Sequence, residues 1–229
     1  GMDEDAFRIL YSEECPGWLY AVNQGATTVW ERWNSLLPDG HISGTNMNSL
    51  NHYAYGSVCE AIYSRIAGLR PATPGWHSAF VEPHPNWRMK EMSLTYDSPA
   101  GRYAVAWKID VKKERFTVTV VIPAGCEATL HLPNGREEVL SAGKHERTIK
   151  APMSLLHPFS LDTPNLDILH NAEAAACLRE HLPTAYAFVT GENEEFLVAN
   201  GHFLLSLPMF GATKEAADAY AEALAEICP

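Results

Sequence analysis

The sequence predicts an α+β chain whose three segments are helical, then β, then helical again. Apolar residues recur at helical spacing up to Gly68, alternate with polar residues beyond Pro71, and return to helical spacing in the last third of the chain. With 46% hydrophobic residues, a chain of 229 residues can bury a substantial core. We predict domains at residues 1–70, 71–157 and 158–229.

The first segment predicts three helices, at residues 6–15, 27–37 and 49–67, the last of which ends before Gly68. Three short helices bury their own apolar faces poorly. This segment nevertheless holds three of the six tryptophans. We therefore expect these helices to be part of a larger helical assembly.

The middle segment predicts short strands. Apolar and polar residues alternate over residues 92–96, 102–111 and 115–122. A turn with Pro and Gly at residues 98–101 precedes the second run, and further turn clusters follow the third run at residues 123–125, 133–136 and 142–144. Short alternating strands joined by hairpin-like turns are typical of an antiparallel β-sandwich.

The last segment predicts a small helical tail with helices at residues 171–181, 194–206 and 213–227. Thr213 is a favourable N-cap for the third of these helices, and alanines follow it at high density. The pattern indicates no specific role for this tail.

Composition argues against several classes of partner. The formal net charge is −11, with 17 basic and 28 acidic residues, and no Lys/Arg cluster offers a surface for nucleic acid. No stretch approaches the roughly 18 apolar residues of a membrane span. Five cysteines without a CxxC pair favour reduced thiols over a disulfide framework or a metal site, and no motif indicates a cofactor. The sequence leaves localisation open.

Two neighbouring runs are candidates for chemistry. Residues 25–34 read GATTVWERWN, and residues 47–57 read MNSLNHYAYGS. Aromatic rings around a carboxylate and an imidazole are suited to a sugar, because rings pack on C–H faces while hydroxyl groups need polar partners. Two other interpretations stay open from the residues alone: Trp30 and Trp33 as one core-facing stripe beside a solvated Glu31, and His52 as a packing residue.

The strings GATTVWERWNSLLPDG and MNSLNHYAYGSVCEAIYSRIAGLRP closely resemble the end of the catalytic domain of bacterial α-L-rhamnosidases of glycoside hydrolase family 78. The resemblance is strong over residues 18–71 and looser beyond. It implies the C-terminal helices of an (α/α)6 barrel, followed by an antiparallel β-sandwich and, here, a small helical tail. It further implies that the intact enzyme acts on a rhamnose-containing glycoside without a cofactor.

By this resemblance, Glu31 matches the general base of inverting hydrolysis, His52 matches a residue that binds rhamnose, and Trp30 and Trp33 line the pocket. The general acid of the family lies on an earlier part of the barrel. We therefore expect a C-terminal fragment that is inactive by itself.

Two positions depart from the family pattern, which usually has Asp at Asn34 and Gly at Cys59. Loss of the charge at Asn34 puts the activity of even the intact enzyme in question, whereas Cys59 is expected to be a tolerated packing change.

Two further hypotheses belong to other classes. The β domain is alternatively a non-catalytic carbohydrate-binding or structural module, with Trp76 and Trp87 in loops as candidate contacts and Trp107 in the core. Barrel helices without their neighbours would also expose apolar surface, so we expect self-association through residues 5–68.

Overall fold

The computed structural model describes residues 3–44, 46–191 and 196–228. The chain divides into two compact units, Gly1–Ala151 and Pro152–Pro229. The predicted three-way division at residues 70 and 157 stays a prediction. Among the described residues, no helix has the length and apolar character needed to cross a bilayer.

The first unit begins with helices α1, Asp3–Tyr11, and α2, Trp18–Asn23. Acidic residues fill the first turn of α1, where they complement the positive end of the helix dipole. Much later comes α3, Val58–Ala61, which continues directly as a π-helical turn, Ile62–Ile66. The predicted helix at residues 6–15 is thus confirmed as far as Tyr11.

The predicted helix at residues 27–37 is wrong, and the one at 49–67 is confirmed only from Val58 onward. Residues 27–37 consist of turns and bends, and an isolated β-bridge pairs Leu36 with Ile42. Its backbone groups bond across the chain: the Glu31 N–H donates to the Ser49 carbonyl at 2.9 Å, a pairing that helical residues could not make.

Six strands follow: β1, Leu69–Pro71; β2, Ser78–Val81; β3, Glu91–Ser98; β4, Gly101–Asp110; β5, Arg115–His131; and β6, Glu137–Lys150. They form one hydrogen-bonded sheet in the order β1-β2-β5-β4-β3, and β6 also pairs with β5.

Strand β5 organises this sheet because its two halves have different neighbours. Residues 115–121 lie between β4 and β6, whereas residues 127–130 lie between β2 and β6. A register shift between Ile122 and Glu127 separates the two halves. Irregularities of this kind bend a strand and increase its twist, so the sheet curls at this point.

The sheet is mixed, which corrects the prediction that its strands are all antiparallel. Strands β3 to β6 pair antiparallel as expected, but β2 pairs parallel with β5. A period of two residues indicates a strand and says nothing about the direction of its neighbour. The sandwich itself stays a prediction, since all six strands belong to one hydrogen-bonded sheet.

Alternate residues of β4 and β5 build the core of this unit. The fully buried side chains include Tyr103, Trp107 and Phe116. The indole Nε1–H of Trp107 donates to the carbonyl oxygen of Ile66 at 2.8 Å, which joins the sheet to the π-helical turn. The predicted core position of Trp107 is confirmed.

The long loop between β2 and β3 is tied to α1. The Glu4 carboxylate accepts hydrogen bonds from Asn86 Nδ2 and from Arg88 Nη1, each at 2.7 Å. Asn86 is 3% exposed, so these contacts fix a buried part of the loop against the helix.

The second unit contains helices α4, Met153–Leu156; α5, Asn165–His170; α6, Ala172–His181; α7, Pro183–Val189; α8, Gly201–Ser206; and α9, Lys214–Ala225. The prediction for residues 171–181 is confirmed from residue 172 to its end, and the prediction for 213–227 is confirmed over residues 214–225. Asn171 and Thr213 are N-caps whose side chains accept backbone N–H bonds. Of the predicted helix 194–206, residues 194 and 195 lie outside the described residues, and in the rest the α-helix is Gly201–Ser206.

An ion pair between Arg70 and Glu82 joins β1 to the residue that follows β2. The hydrogen bond from the Arg70 guanidinium lowers the pKa of the Glu82 carboxyl below its ordinary value. A carboxyl whose pKa is lower in the folded than in the unfolded chain stabilises the fold above the unfolded pKa, about 4.3. This contribution is lost as the pH falls through the folded pKa.

We therefore expect Glu82→Gln to destabilise the first unit at pH 7. The loss should not exceed about 1 kcal/mol, because both side chains of the ion pair are more than a third exposed to solvent. The difference from the wild type should be smaller at pH 3 than at pH 7, since the contribution is lost as the pH falls. Urea unfolding at pH 7 and at pH 3 measures the difference in the free energy of unfolding, with Glu91→Gln on β3 as the control. An equal loss at both pH values would contradict this assignment.

Candidate active site

Backbone pairing brings together the two segments that carry Glu31 and His52, although 20 residues separate these two in the sequence. The Glu31 N–H donates to the Ser49 carbonyl at 2.9 Å, and the His52 N–H donates to the Val29 carbonyl at 2.8 Å. The Thr28 hydroxyl adds a bond to the Leu50 carbonyl. Residues 28–31 and 49–52 therefore form one local unit that carries both a carboxylate and an imidazole.

The two polar side chains are accessible to solvent. Glu31 is partly exposed, and His52 is exposed. Both lie on segments without helical structure, whose conformation is set by the cross-chain hydrogen bonds. A carboxylate in this position can contact water, which is the first requirement for a general base in hydrolysis.

The two tryptophans that flank Glu31 have different surroundings. Trp30 is 6% exposed and belongs to the core. Trp33 is stacked on Tyr55, with ring centroids 4.3 Å apart and planes 19° apart, and its ring lies edge-on to Trp18 at 5.3 Å. Because residues 27–37 are not helical, Trp30 and Trp33 do not form the single helical stripe of the alternative interpretation.

Tyr55 and Trp18 were not predicted as partners of Trp33. The motif containing Tyr55 begins more than ten residues beyond Trp33, and Trp18 precedes it by 15. Stacking between residues so distant in the sequence has no local periodic signature. The rings of Trp18, Trp33 and Tyr55 contact one another and hold each other in position. We call these three residues the aromatic wall.

A set of hydrogen bonds shapes the loop between the two motifs. Asn48 Nδ2 donates to the carbonyl oxygens of Ser35 and Gly44, at 3.1 and 3.0 Å. Arg32 Nη2 donates to the Asn46 carbonyl at 2.8 Å. The loop is thus folded back on Arg32 and Ser35, close in sequence to Glu31.

Tyr20 anchors the same loop from α2. Its hydroxyl donates to the Leu36 carbonyl at 2.7 Å, and burial raises the pKa of this hydroxyl above the ordinary value.

Asn34, the first departure from the family pattern, is exposed and lines a groove with Glu13 and Glu14. Cys59, the second departure, is exposed on α3.

Comparison with known proteins gives two consecutive matches. Residues 1–66 match the bacterial alpha-L-rhamnosidase 6 hairpin glycosidase domain, and residues 68–147 match the bacterial alpha-L-rhamnosidase C-terminal domain. This order defines the class as glycoside hydrolases of the six-hairpin type. Within that class, residues 1–147 belong with the bacterial α-L-rhamnosidases, and the resemblance inferred from the motifs is confirmed.

Proteins with similar sequences are also named α-L-rhamnosidases. An alpha-L-rhamnosidase of Formosa agariphila is 37% identical over 142 residues, which cover 62% of this chain and 15% of that protein. One of Streptomyces avermitilis is 35% identical over 133 residues, covering 58% of this chain and 13% of that protein. The chain thus spans only about 13 to 15% of the length of these relatives.

Solved structures of α-L-rhamnosidases resemble the same part of the chain. The Aspergillus terreus enzyme aligns with a TM-score of 0.58 at 35% identity, over 62% of this chain and 16% of the enzyme. The Streptomyces avermitilis enzyme complexed with L-rhamnose aligns with a TM-score of 0.60 at 30% identity, over 66% and 16% of the two chains.

Proposed function

We propose that this chain is the C-terminal part of an inverting α-L-rhamnosidase and carries its general base, Glu31. On this proposal, residues 1–66 are the last part of the (α/α)6 catalytic barrel, and residues 68–147 are the C-terminal β-sandwich. The observation that carries the proposal is the backbone pairing of residues 29–31 with residues 49–52, the segments that carry Glu31 and His52, inside the part matched to the glycosidase domain.

Each side chain has a distinct role in this proposal. The Glu31 carboxylate removes a proton from the water that attacks the anomeric carbon. His52 hydrogen-bonds a hydroxyl group of the sugar. Trp33, held by stacking on Tyr55, lines the pocket, whereas Trp30, at 6% exposure, supports the loop from within.

The substrate class follows from the relatives. The name of each relative states α-L-rhamnosidase activity, and one solved relative is described as complexed with L-rhamnose. We propose that the intact enzyme releases terminal α-L-rhamnose from a rhamnose-containing glycoside. Neither cofactor nor metal enters this mechanism, since water and two carboxyl groups supply the chemistry.

The general acid of the proposed mechanism lies outside these 229 residues. Inversion needs a second carboxylic acid about 6.5 to 9.5 Å from the base, with the sugar and a water molecule between them. The family places that acid on an earlier part of the barrel, and this chain spans only about a seventh of its relatives. The chain alone therefore lacks half of the catalytic pair.

We expect no measurable hydrolysis of an aryl α-L-rhamnoside by this chain, and hydrolysis by a longer protein that carries the whole six-hairpin domain. Loss of acid assistance alone lowers a rate by about 10²- to 10⁴-fold. Release of the chromophore measures both proteins side by side. Equal activity of the two would place a complete catalytic pair within these residues and overturn the proposal.

The structure rules out one of the three tryptophans considered for the alternative function, a carbohydrate-binding module. Trp107 is buried in the core, at 2% exposure, and cannot contact a ligand. The Arg88 guanidinium lies over the Trp87 ring at 4.2 Å and covers one of its faces. Trp76 and Trp87 are both partly exposed and remain candidates.

Self-association stays a prediction. Within residues 3–44 and 46–66, the exposed apolar side chains include Val22, Ile42 and Met47, at 57, 56 and 78% exposure. Residues of this kind favour association when they are clustered.

A further inference from the structure

Three aromatic side chains from separate elements meet at one edge of the sheet. Tyr63 lies on the π-helical turn, Trp76 in the hairpin loop between β1 and β2, and Tyr96 on β3. The ring centroids of Trp76 and Tyr96 are 4.6 Å apart, and those of Tyr63 and Tyr96 are 6.2 Å apart. We call these three residues the Tyr96 cluster.

The cluster is accessible to solvent. Tyr63 is 41% exposed, and Trp76 and Tyr96 are partly exposed. A purely structural aromatic cluster would bury its rings, as Tyr103 and Trp107 do on the adjacent strand at 0 and 2% exposure. The Tyr96 cluster therefore lies at the border between the core and the solvent.

The backbone at Trp76 adopts a conformation that large side chains rarely take. Its φ is +67°, and that of Gly75 is +83°, so both residues are left-handed. The buried Tyr103 hydroxyl donates to the Trp76 carbonyl at 2.7 Å and holds this conformation. Glycine would fit here without strain, yet the position carries an indole placed over Tyr96. Strain of this kind is concentrated at binding sites.

Tyr63 is placed by a second unusual feature. The helix that begins at Val58 changes to π geometry over Ile62–Ile66, and Tyr63 lies within that turn. Single π-helical turns occur frequently at functional sites. Two independent irregularities of the backbone thus carry the two rings that contact Tyr96.

The chemistry of the cluster suits a neutral sugar. It offers aromatic surface for the C–H face of a pyranose and two phenol hydroxyl groups for its hydroxyls. It contains no charged side chain. The nearest charges along β3 and β4, Asp97 and Arg102, are bonded to each other at 2.6 and 3.1 Å. Because Asp97 follows Tyr96 directly, it lies on the opposite face of the strand.

We propose that the Tyr96 cluster is a second carbohydrate-binding site, which takes a neutral pyranose ring of the glycoside and shares no residue with the Glu31 site. The choice of a sugar as ligand rests on the proposed rhamnosidase function. The site would hold a part of the substrate other than the sugar bound at Glu31.

The test is a titration of the ¹⁵N-labelled 229-residue chain with L-rhamnose, followed through the six indole N–H resonances. Trp76→Gly identifies the Trp76 resonance and removes the ring, while glycine retains the left-handed backbone. We expect this resonance to shift and to saturate. Tyr63→Ala should weaken binding by about threefold to tenfold, since it removes one exposed aromatic contact.

Matched variants make the result specific. Phe203→Ala removes an aromatic side chain of similar exposure, 44%, in the second unit and should leave the binding curve unchanged. Glu31→Gln should leave it unchanged as well. An unshifted Trp76 resonance at the highest L-rhamnose concentration, or binding unaffected by Tyr63→Ala, would overturn the proposal. An identical shift with glycerol would also overturn it.

This test separates the two proposals. Hydrolysis by the longer protein with no titration at Trp76 rejects only the second site. Titration at Trp76 with no hydrolysis by the longer protein rejects the rhamnosidase mechanism and retains carbohydrate binding by the β domain.

Discussion

Replacing Glu31 by Gln in a protein that carries the complete six-hairpin domain is expected to lower kcat for an aryl α-L-rhamnoside by about 10²- to 10⁴-fold. The amide has the shape of the carboxylate and cannot take a proton from water. Because Glu31 is partly exposed and its backbone N–H makes the bond to Ser49, the substitution should leave the fold intact.

The expected loss is in kcat, with little change in KM, because the base acts in the transition state. Glu60→Gln is a matched control, since Glu60 is an exposed carboxylate on α3 in the same unit. Steady-state kinetics of the two variants beside the wild type measure the difference. A Glu31→Gln enzyme that keeps more than a tenth of the wild-type kcat would show that another group is the base.

The largest expected effect on stability comes from Trp107→Ala, at about 3 to 5 kcal/mol. Trp107 is 2% exposed and packs near Phe116, with ring centroids 6.0 Å apart. The substitution also leaves the Ile66 carbonyl without its 2.8 Å bond from the indole. That bond joins β4 to the π-helical turn, so the loss should extend beyond the sheet.

Urea unfolding monitored by near-ultraviolet circular dichroism measures this loss in the 229-residue chain. Trp107→Phe restores much of the buried volume without the N–H donor and should lie between the wild type and the alanine variant. Tyr53→Ala removes a ring that is 80% exposed and should change stability by less than about 0.5 kcal/mol. A loss below about 1 kcal/mol for Trp107→Ala would contradict a core role.

Helices that have an N-cap and strands that alternate regularly between apolar and polar residues were predictable from the sequence. Helices α6 and α9 begin directly after Asn171 and Thr213, whose side chains accept backbone N–H bonds, and the alternation in β4 and β5 matches their buried faces. In these elements, local preference and tertiary packing agree.

The helix predicted at residues 27–37 shows where local reasoning failed. Trp30 and Trp33 have helical spacing, but the N–H of Glu31 bonds to Ser49, and Trp33 stacks on Tyr55. Contacts with a segment about 20 residues away determine the conformation, and no local pattern contains that information. The parallel pairing of β2 with β5 was missed for a similar reason, since strand direction depends on the path of the chain between them.

The candidate site was identified through family resemblance, and its geometry came from the fold. The residues alone left Glu31 open as a solvated charge and His52 as a packing residue. The structure places both on paired segments and leaves both accessible. The Tyr96 cluster had no sequence signal beyond a loop tryptophan, because its three rings come from elements that meet only in the folded chain.

The most direct test of the central claim is the anomeric configuration of the first product released by the protein with the complete six-hairpin domain. Proton NMR of the sugar in the first minutes, before mutarotation, distinguishes the two anomers. Inverting hydrolysis with Glu31 as base predicts that β-L-rhamnose appears first from an α-L-rhamnoside. Initial release of α-L-rhamnose would require a covalent intermediate and would contradict the role of Glu31 as a base that activates water.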